Sequence, residues 1–149
     1  MIIQLIDDTF DTQAALNALP HTAQQDILKY RRPEDQNARI ISHQMKEFLS
    51  GGRLITRTKY GKPVCDGVWF NVSHDGKCVV GIAAETPVGI DVMDTRTWRD
   101  IPAFHNALTP FEREYIGDDL RRFYRIWTAK EAFLKMLGTG LCSPMELVE

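Results

Sequence analysis

The sequence has no apolar run approaching the roughly 18 residues that cross a bilayer, no internal repeat and no low-complexity tract. Cationic excess is missing as well. The formal net charge of -2 implies no general nucleic-acid partner, so any basic site must be local. Cysteine is scarce. Cys65, Cys78 and Cys142 are odd in number and widely spaced, which suits neither a disulfide framework nor a zinc site; they read as small core residues of a protein in a reducing cytoplasm. The opening Met1-Ile2-Ile3-Gln4-Leu5-Ile6 is too short for a signal peptide, lacks a basic start and runs into Asp7-Asp8. There is no Walker loop, Rossmann glycine fingerprint, Gly-x-Ser-x-Gly elbow or metal-binding His pair. What is present is a 149-residue chain, 44 % hydrophobic and 26 % charged. That balance predicts a packed soluble globule, either one domain or two small lobes sharing a core.

Local patterns predict an order of helices, a β-rich centre and helices again, an α+β arrangement. Met1 to Ile6 reads as a strand. A helix capped at Asp11 or Thr12 runs to Leu19, and a second covers Thr22 to Tyr30. The cluster Lys29-Tyr30-Arg31-Arg32 before Pro33 is either a solvated turn or a phosphate contact. Pro33 opens a helix with Ile40, Ile41, Met45, Phe48 and Leu49 on its apolar face, stopped by Gly51-Gly52. Strands are predicted at Arg53–Lys59, Val68–Ser73, Cys78–Ala84 and Val88–Met93, with turns at Tyr60–Pro63 and His74–Lys77. Asp94 to Asn106 reads as irregular or partly helical. Thr109-Pro110-Phe111-Glu112 is a strong helix start. The last helix, Asp118 to Leu137, carries Leu120, Phe123, Tyr124, Trp127, Leu134 and Leu137 at near-helical spacing and stops at Gly138. Met145–Leu147 reads as the start of another strand.

Three places carry polar residues that packing does not require. Glu131 interrupts the apolar stripe of the last helix, four residues before Lys135. The two form either an ordinary (i, i+4) pair or part of a site. Asp91 sits in the apolar run Gly89-Ile90-Asp91-Val92-Met93, beside a glycine that permits close approach. Ser73-His74 precedes Asp75-Gly76, and a hairpin turn accounts for the second pair but not the first. Carboxylates, a His and nearby cations make a candidate Mg²⁺–phosphate site, since Mg²⁺ takes one or two carboxylates together with phosphate oxygens and water.

Four blocks then occur in register: Tyr60-Gly61-Lys62-Pro63, Phe70-Asn71-Val72-Ser73-His74, Val88-Gly89-Ile90-Asp91-Val92, and Trp127-Thr128-Ala129-Lys130-Glu131-Ala132-Phe133-Leu134-Lys135. Together they resemble the signature of the Sfp-type 4′-phosphopantetheinyl transferases. Gly138-Thr139-Gly140-Leu141 resembles the segment that follows in that family. The resemblance implies transfer of the phosphopantetheine arm of coenzyme A to a serine of an apo acyl or peptidyl carrier protein, releasing 3′,5′-ADP. It also implies a pseudo-twofold, two-lobed α+β fold, here with lobes at about 1–86 and 87–149 and the second lobe short at its C-terminus. Asp91 and Glu131 would hold Mg²⁺. Glu131, or a water it holds, would take the serine proton, and Lys135 would meet the pyrophosphate and the departing phosphate. Lys62, Ser73 and His74 would hold the nucleotide end, with His74 near the 3′-phosphate. Arg31, Arg32 and Arg57 would be phosphate contacts, and Glu112 matches a family acid in the preceding helix.

Two features depart from the family pattern. Met93 stands where many members carry a second carboxylate, so Asp75 is the expected third metal ligand. The chain is also short, which leaves a monomer as the expectation unless another chain completes the second lobe. Beside the transferase stand a non-catalytic coenzyme A or carrier-binding module and a generic α+β interaction domain. Asp94 to Leu108, with Trp98 and Phe104, is the expected carrier-contacting segment.

Overall fold

A computed structural model of the protein describes residues 1–96 and 100–139. Trp98, Cys142, the Gly140-Leu141 pair and the expected strand at Met145–Leu147 lie outside the described residues. The architecture is α+β. Three antiparallel strands, β1 (Ile2–Leu5), β4 (Trp69–Asp75) and β5 (Cys78–Ala84), form a sheet in the order β1-β5-β4. A two-stranded hairpin, β2 (Thr56–Arg57) with β3 (Pro63–Val64), stands apart. No helix among the described residues is long and apolar enough to cross a membrane.

Helices α1 (Thr12–Asn17), α2 (His21–Ile27) and α3 (Pro33–Ser50) build the first half. Asp11 caps α1 through the amide of Ala14. Pro33 occupies the start of α3, and Gly51 closes it in the left-handed conformation, φ 62°. Along α3, Ala38, Ile41 and Met45 meet Ile6 and Val79 of the sheet, while Ile40 meets Leu16, Leu19 and Ile27. Contact between α3 and β5 is close. A Cβ at Gly81 would lie 2.3 Å from the Met45 sulfur, so a larger residue there would push the Met45 and Leu49 side chains aside.

A short 3-10 helix (Ile101–Ala107), α4 (Pro110–Ile116) and α5 (Leu120–Leu137) build the second half. Thr109 and Glu112 form a reciprocal capping box at the start of α4, and Asp119 caps α5. Phe123, Tyr124, Ile116, Leu108 and Ile101 form its core. The Trp127 ring meets Phe104 edge-on at 4.7 Å between centroids. Leu137, expected on the apolar stripe, is exposed.

Three expectations change. Residues 88–94 form no strand. Asn71, Ser73 and Asp75 alternate along β4 and so share one face of the sheet. The segment crosses that face and hangs from those side chains. The Ile90 amide donates to Asn71 Oδ1 at 2.8 Å, and the Asp94 amide donates to Asp75 Oδ2 at 2.7 Å. The expected strand at Arg53–Lys59 shrinks to Thr56–Arg57. Its partner begins at Pro63, which has no N–H to give, and Thr58 to Lys62 are taken by the turn. The turn expected at His74–Lys77 is tighter. Asp75 pairs with Cys78, so only Gly76-Lys77 lies outside the ladder, with Gly76 at φ 53°, while His74 and Asp75 belong to β4.

Candidate active site

The 88–94 segment is sandwiched between the sheet face and α5, and Gly89 makes that possible. A Cβ at this position would lie 1.9 Å from the Ala132 carbonyl oxygen and 2.6 Å from the Met136 nitrogen. The loop backbone therefore lies directly against the helix backbone. Two residues on, Asp91 is delivered beside the α5 face that carries Glu131 and Lys135, which are four residues apart and thus one turn above one another.

Asp91, only 8 % exposed at its side chain, receives two donors on one oxygen. The Ser73 hydroxyl donates to Asp91 Oδ1 at 2.7 Å. The Lys135 ammonium donates to the same oxygen and, at 2.7 Å, to Ser73 Oγ. The other Asp91 oxygen has no protein donor among the described residues. Lys135 thus turns to Asp91 rather than completing the (i, i+4) pair with Glu131. Glu131, half-buried, is left without a hydrogen bond or ion pair among the described residues. Burial pushes its carboxyl above the ordinary range; Lys135 opposes that shift and the neighbouring Asp91 charge adds to it. A half-buried carboxylate facing a second carboxylate, each with an open oxygen, attracts a cation. The pair suits a hard divalent ion that completes its shell with phosphate oxygens and water. Asp75 is not gathered with the pair: among the described residues no three His, Cys, Asp or Glu side chains come close enough to hold a metal. Asp75 instead accepts the Asp94 amide at the far end of β4.

On the opposite face of β4, Val72 and His74 look toward α3 across a cavity of about 580 Å³. Arg39, Ser42, His43 and Lys46 line it from α3, Arg57 from the hairpin, and Lys29 and Tyr30 from the end of the α2 connection. Arg39 Nε, Ser42 Oγ and His43 Nδ1 are buried there without hydrogen-bond partners; His43 Nδ1 is 3.7 Å from Glu47. The Arg39 guanidinium lies 3.6 Å from the centre of the Tyr30 ring. Crowded cations depress one another. Lys46 is lowered by burial and then by Arg57 and Arg39. His74 is lowered by burial and then by Arg39, Lys46 and Lys135, with only Asp75 opposing. A cavity that concentrates positive charge and leaves buried donors unpaired is built for an anion.

The structure therefore brings Asp91, Glu131, Lys135 and Ser73 into one constellation, and His74 and Arg57 into the neighbouring cavity. Arg31 and Arg32 are exposed at the start of α3 and do not line that cavity. Lys62 goes elsewhere: its ammonium donates to the Met136 carbonyl at 2.7 Å. Glu112 accepts both the Thr109 amide and the buried Lys130 ammonium, the latter at 2.9 Å, and so ties α4 to α5 one residue before Glu131. Sequence reasoning missed Arg39, His43 and Lys46. Their spacing of four and three residues puts them on one side of α3, but such a polar stripe on an amphipathic helix reads as an ordinary solvent-facing side.

Residues 87–149, which include Asp91, Glu131 and Lys135, match the family model of the 4′-phosphopantetheinyl transferase superfamily. The chain is thus similar to the Sfp-type 4′-phosphopantetheinyl transferases. The 4′-phosphopantetheinyl transferase Sfp of Bacillus subtilis (strain 168) is 30 % identical over 72 % of this chain and 50 % of its own length. The 4′-phosphopantetheinyl transferase gsp of Aneurinibacillus migulanus is 31 % identical over 62 % of this chain and 41 % of its own. The L-aminoadipate-semialdehyde dehydrogenase-phosphopantetheinyl transferase of Schizosaccharomyces pombe is 28 % identical over 87 % and 63 %. The chain thus spans about half the length of these phosphopantetheinyl transferases.

Proposed function

We propose that this chain transfers the phosphopantetheine arm of coenzyme A to a serine of an apo carrier protein, with 3′,5′-ADP as the leaving product. The observation that carries this reading is the Asp91–Glu131 carboxylate pair, with Lys135 bonded to Asp91, adjoining a cavity lined by Arg39, Lys46, Arg57 and His74. In this reading the 3′-phosphate sits among Arg39, Lys46, Arg57 and His74, and the pyrophosphate reaches Ser73 and Lys135. Asp91 and Glu131 would hold Mg²⁺, which when bound supplies charge neutralisation on the pyrophosphate.

The residues do the rest. The serine oxygen forms a bond to the phosphorus of the pantetheine-side phosphate as the bond from that phosphorus to the bridging oxygen breaks. Glu131, or a water it orients, takes the serine proton. Lys135 gives positive charge, or a proton, to the oxygen that leaves with 3′,5′-ADP. In this reading the coenzyme would lie between two lobes divided at about residue 86. The free thiols of Cys65 and Cys78 suit a reducing cytoplasm.

The test is incubation of the chain with coenzyme A, Mg²⁺ and an apo carrier protein, read by intact mass. A gain of one phosphopantetheine on the carrier, abolished by chelation, is the expected result. Coenzyme binding without that gain overturns the transferase in favour of a binding module, a reading motivated by Met93 and the lack of a third grouped carboxylate among the described residues. If the chain neither binds nor transfers, both readings fall.

A further inference from the structure

Lys62 lies in a block expected to touch the coenzyme, yet its ammonium is committed within the protein. It reaches across 74 residues of sequence to the Met136 carbonyl at 2.7 Å. That carbonyl belongs to the last turn of α5, at the negative end of the helix dipole, where carbonyls run out of intrahelical donors. Gly138 makes the approach possible. It closes α5 at φ 76°, and a Cβ there would lie 2.8 Å from Lys62 Cδ, in space the lysine stem now fills. Burial lowers the Lys62 pKa, as expected for an ammonium withdrawn from water.

The two ends of the hairpin matter together. The Lys62 carbonyl accepts the Thr58 amide at 2.9 Å, and Arg57 pairs across the ladder with Pro63, the next residue. Arg57 donates to the Gly61 carbonyl at 2.9 Å while lining the cationic cavity. One small hairpin therefore carries a cation of the cavity and a strut to Met136, the residue after Lys135. The Gly89 backbone also lies against this helix, at Ala132 and Met136. Two separate segments therefore hold the turn bearing Lys135.

We propose that Lys62 is a positioning residue: by holding the Met136 carbonyl it fixes the spacing between Arg57 in the cationic cavity and Lys135 at the carboxylate pair. A ligand with a phosphate monoester at one end and a pyrophosphate further along must engage both at once, and Lys62 sets the distance between the two sites without touching the ligand. This rests on the coenzyme-binding reading above.

The experiment compares wild type, K62M and K62R for binding of coenzyme A and of 3′-AMP, which engages the cavity alone. K62M keeps the stem and removes the ammonium. It should weaken coenzyme A by about tenfold or more, the usual size for loss of an orienting partner. It should leave 3′-AMP within about twofold. K62R should restore most of the loss, and in a K135M background K62M should cost nothing further. Equal weakening of both ligands by K62M, or an undiminished effect in K135M, overturns the proposal. Amide hydrogen exchange at residues 136–138, measured without ligand, provides the independent arm. K62M should speed exchange there by about tenfold relative to wild type, by the same loss of an orienting partner. If wild type binds no coenzyme A, the functional reading fails, and unchanged exchange in K62M then also overturns the positioning role.

Discussion

The two halves of the site are built in opposite ways. The cationic cavity stands on regular structure: a polar stripe along α3, one face of β4 and a short hairpin. The carboxylate pair depends on a loop without backbone ladder bonds, held to β4 by Asn71, Ser73 and Asp75 and pressed on α5 at Gly89. A helix holds its side chains by its own hydrogen bonds, whereas a loop holds them only through its neighbours. Perturbing the second region should therefore act at a distance from the chemistry, and perturbing the first should act locally.

The largest expected effect is at Gly89. G89A places a methyl group against the Ala132 carbonyl, so the loop must lift and carry Asp91 away. Overpacking of this kind costs about 1–3 kcal/mol. Transfer activity should fall below detection while 3′-AMP still binds the cavity; loss of both would show that the two regions are not separable. Next is D91N, which keeps the shape but removes the charge that Ser73 and Lys135 address. Transfer should drop by more than about 100-fold, with a raised Mg²⁺ requirement in steady-state assays.

R39A or K46A should weaken 3′,5′-ADP by roughly tenfold each in calorimetric titration, since a hydrogen bond to a charged group is worth about 1.5–3 kcal/mol. The loss should shrink as salt rises. Transfer with saturating coenzyme should change far less, which separates binding from chemistry.

The pH responses have opposite signs. His74 is held below the ordinary histidine range, so between its folded value and that range the unfolded chain binds more protons. Stability then rises with pH through this window, and H74Q should flatten that slope in thermal unfolding. Glu131 is held above the ordinary carboxylate range, so the folded protein binds more protons in its window. Stability falls there as pH rises, and E131Q should remove the fall. The smallest effect is expected at Asp75. D75N keeps an acceptor for the Asp94 amide, and Mg²⁺ dependence of transfer should not move; a changed dependence would restore Asp75 as a ligand.

Most helices were legible because their signals are local. Asp11, Pro33, Gly51, the Thr109–Glu112 box and Gly138 each mark a helix end by chemistry confined to one turn. The strand expected at Val88–Met93 failed for a reason that no local pattern contains. Its alternation suits a ladder, but the face of β4 supplied side-chain acceptors for its amides. Within the site, Asp91, Glu131 and Lys135 were readable because motif and spacing coincide. Arg39, His43 and Lys46 were not legible, because a polar stripe on an amphipathic helix reads the same whether it meets solvent or a ligand.

The sequence by itself determined which residues are chemically available: the carboxylates at 91 and 131, the lysine one turn beyond Glu131, and the glycine that allows close approach. Helical spacing and backbone sterics are properties of a short stretch of chain, and need no partner. The tertiary structure alone decided the pairings. Lys135 left Glu131 for Asp91, Lys62 turned to the end of α5, and Asp75 took a backbone amide instead of joining the carboxylate pair. Each of these depends on which distant group arrives within about 3 Å to satisfy a charge or an amide, and that distance exists only once the sheet, the loop and α5 have packed.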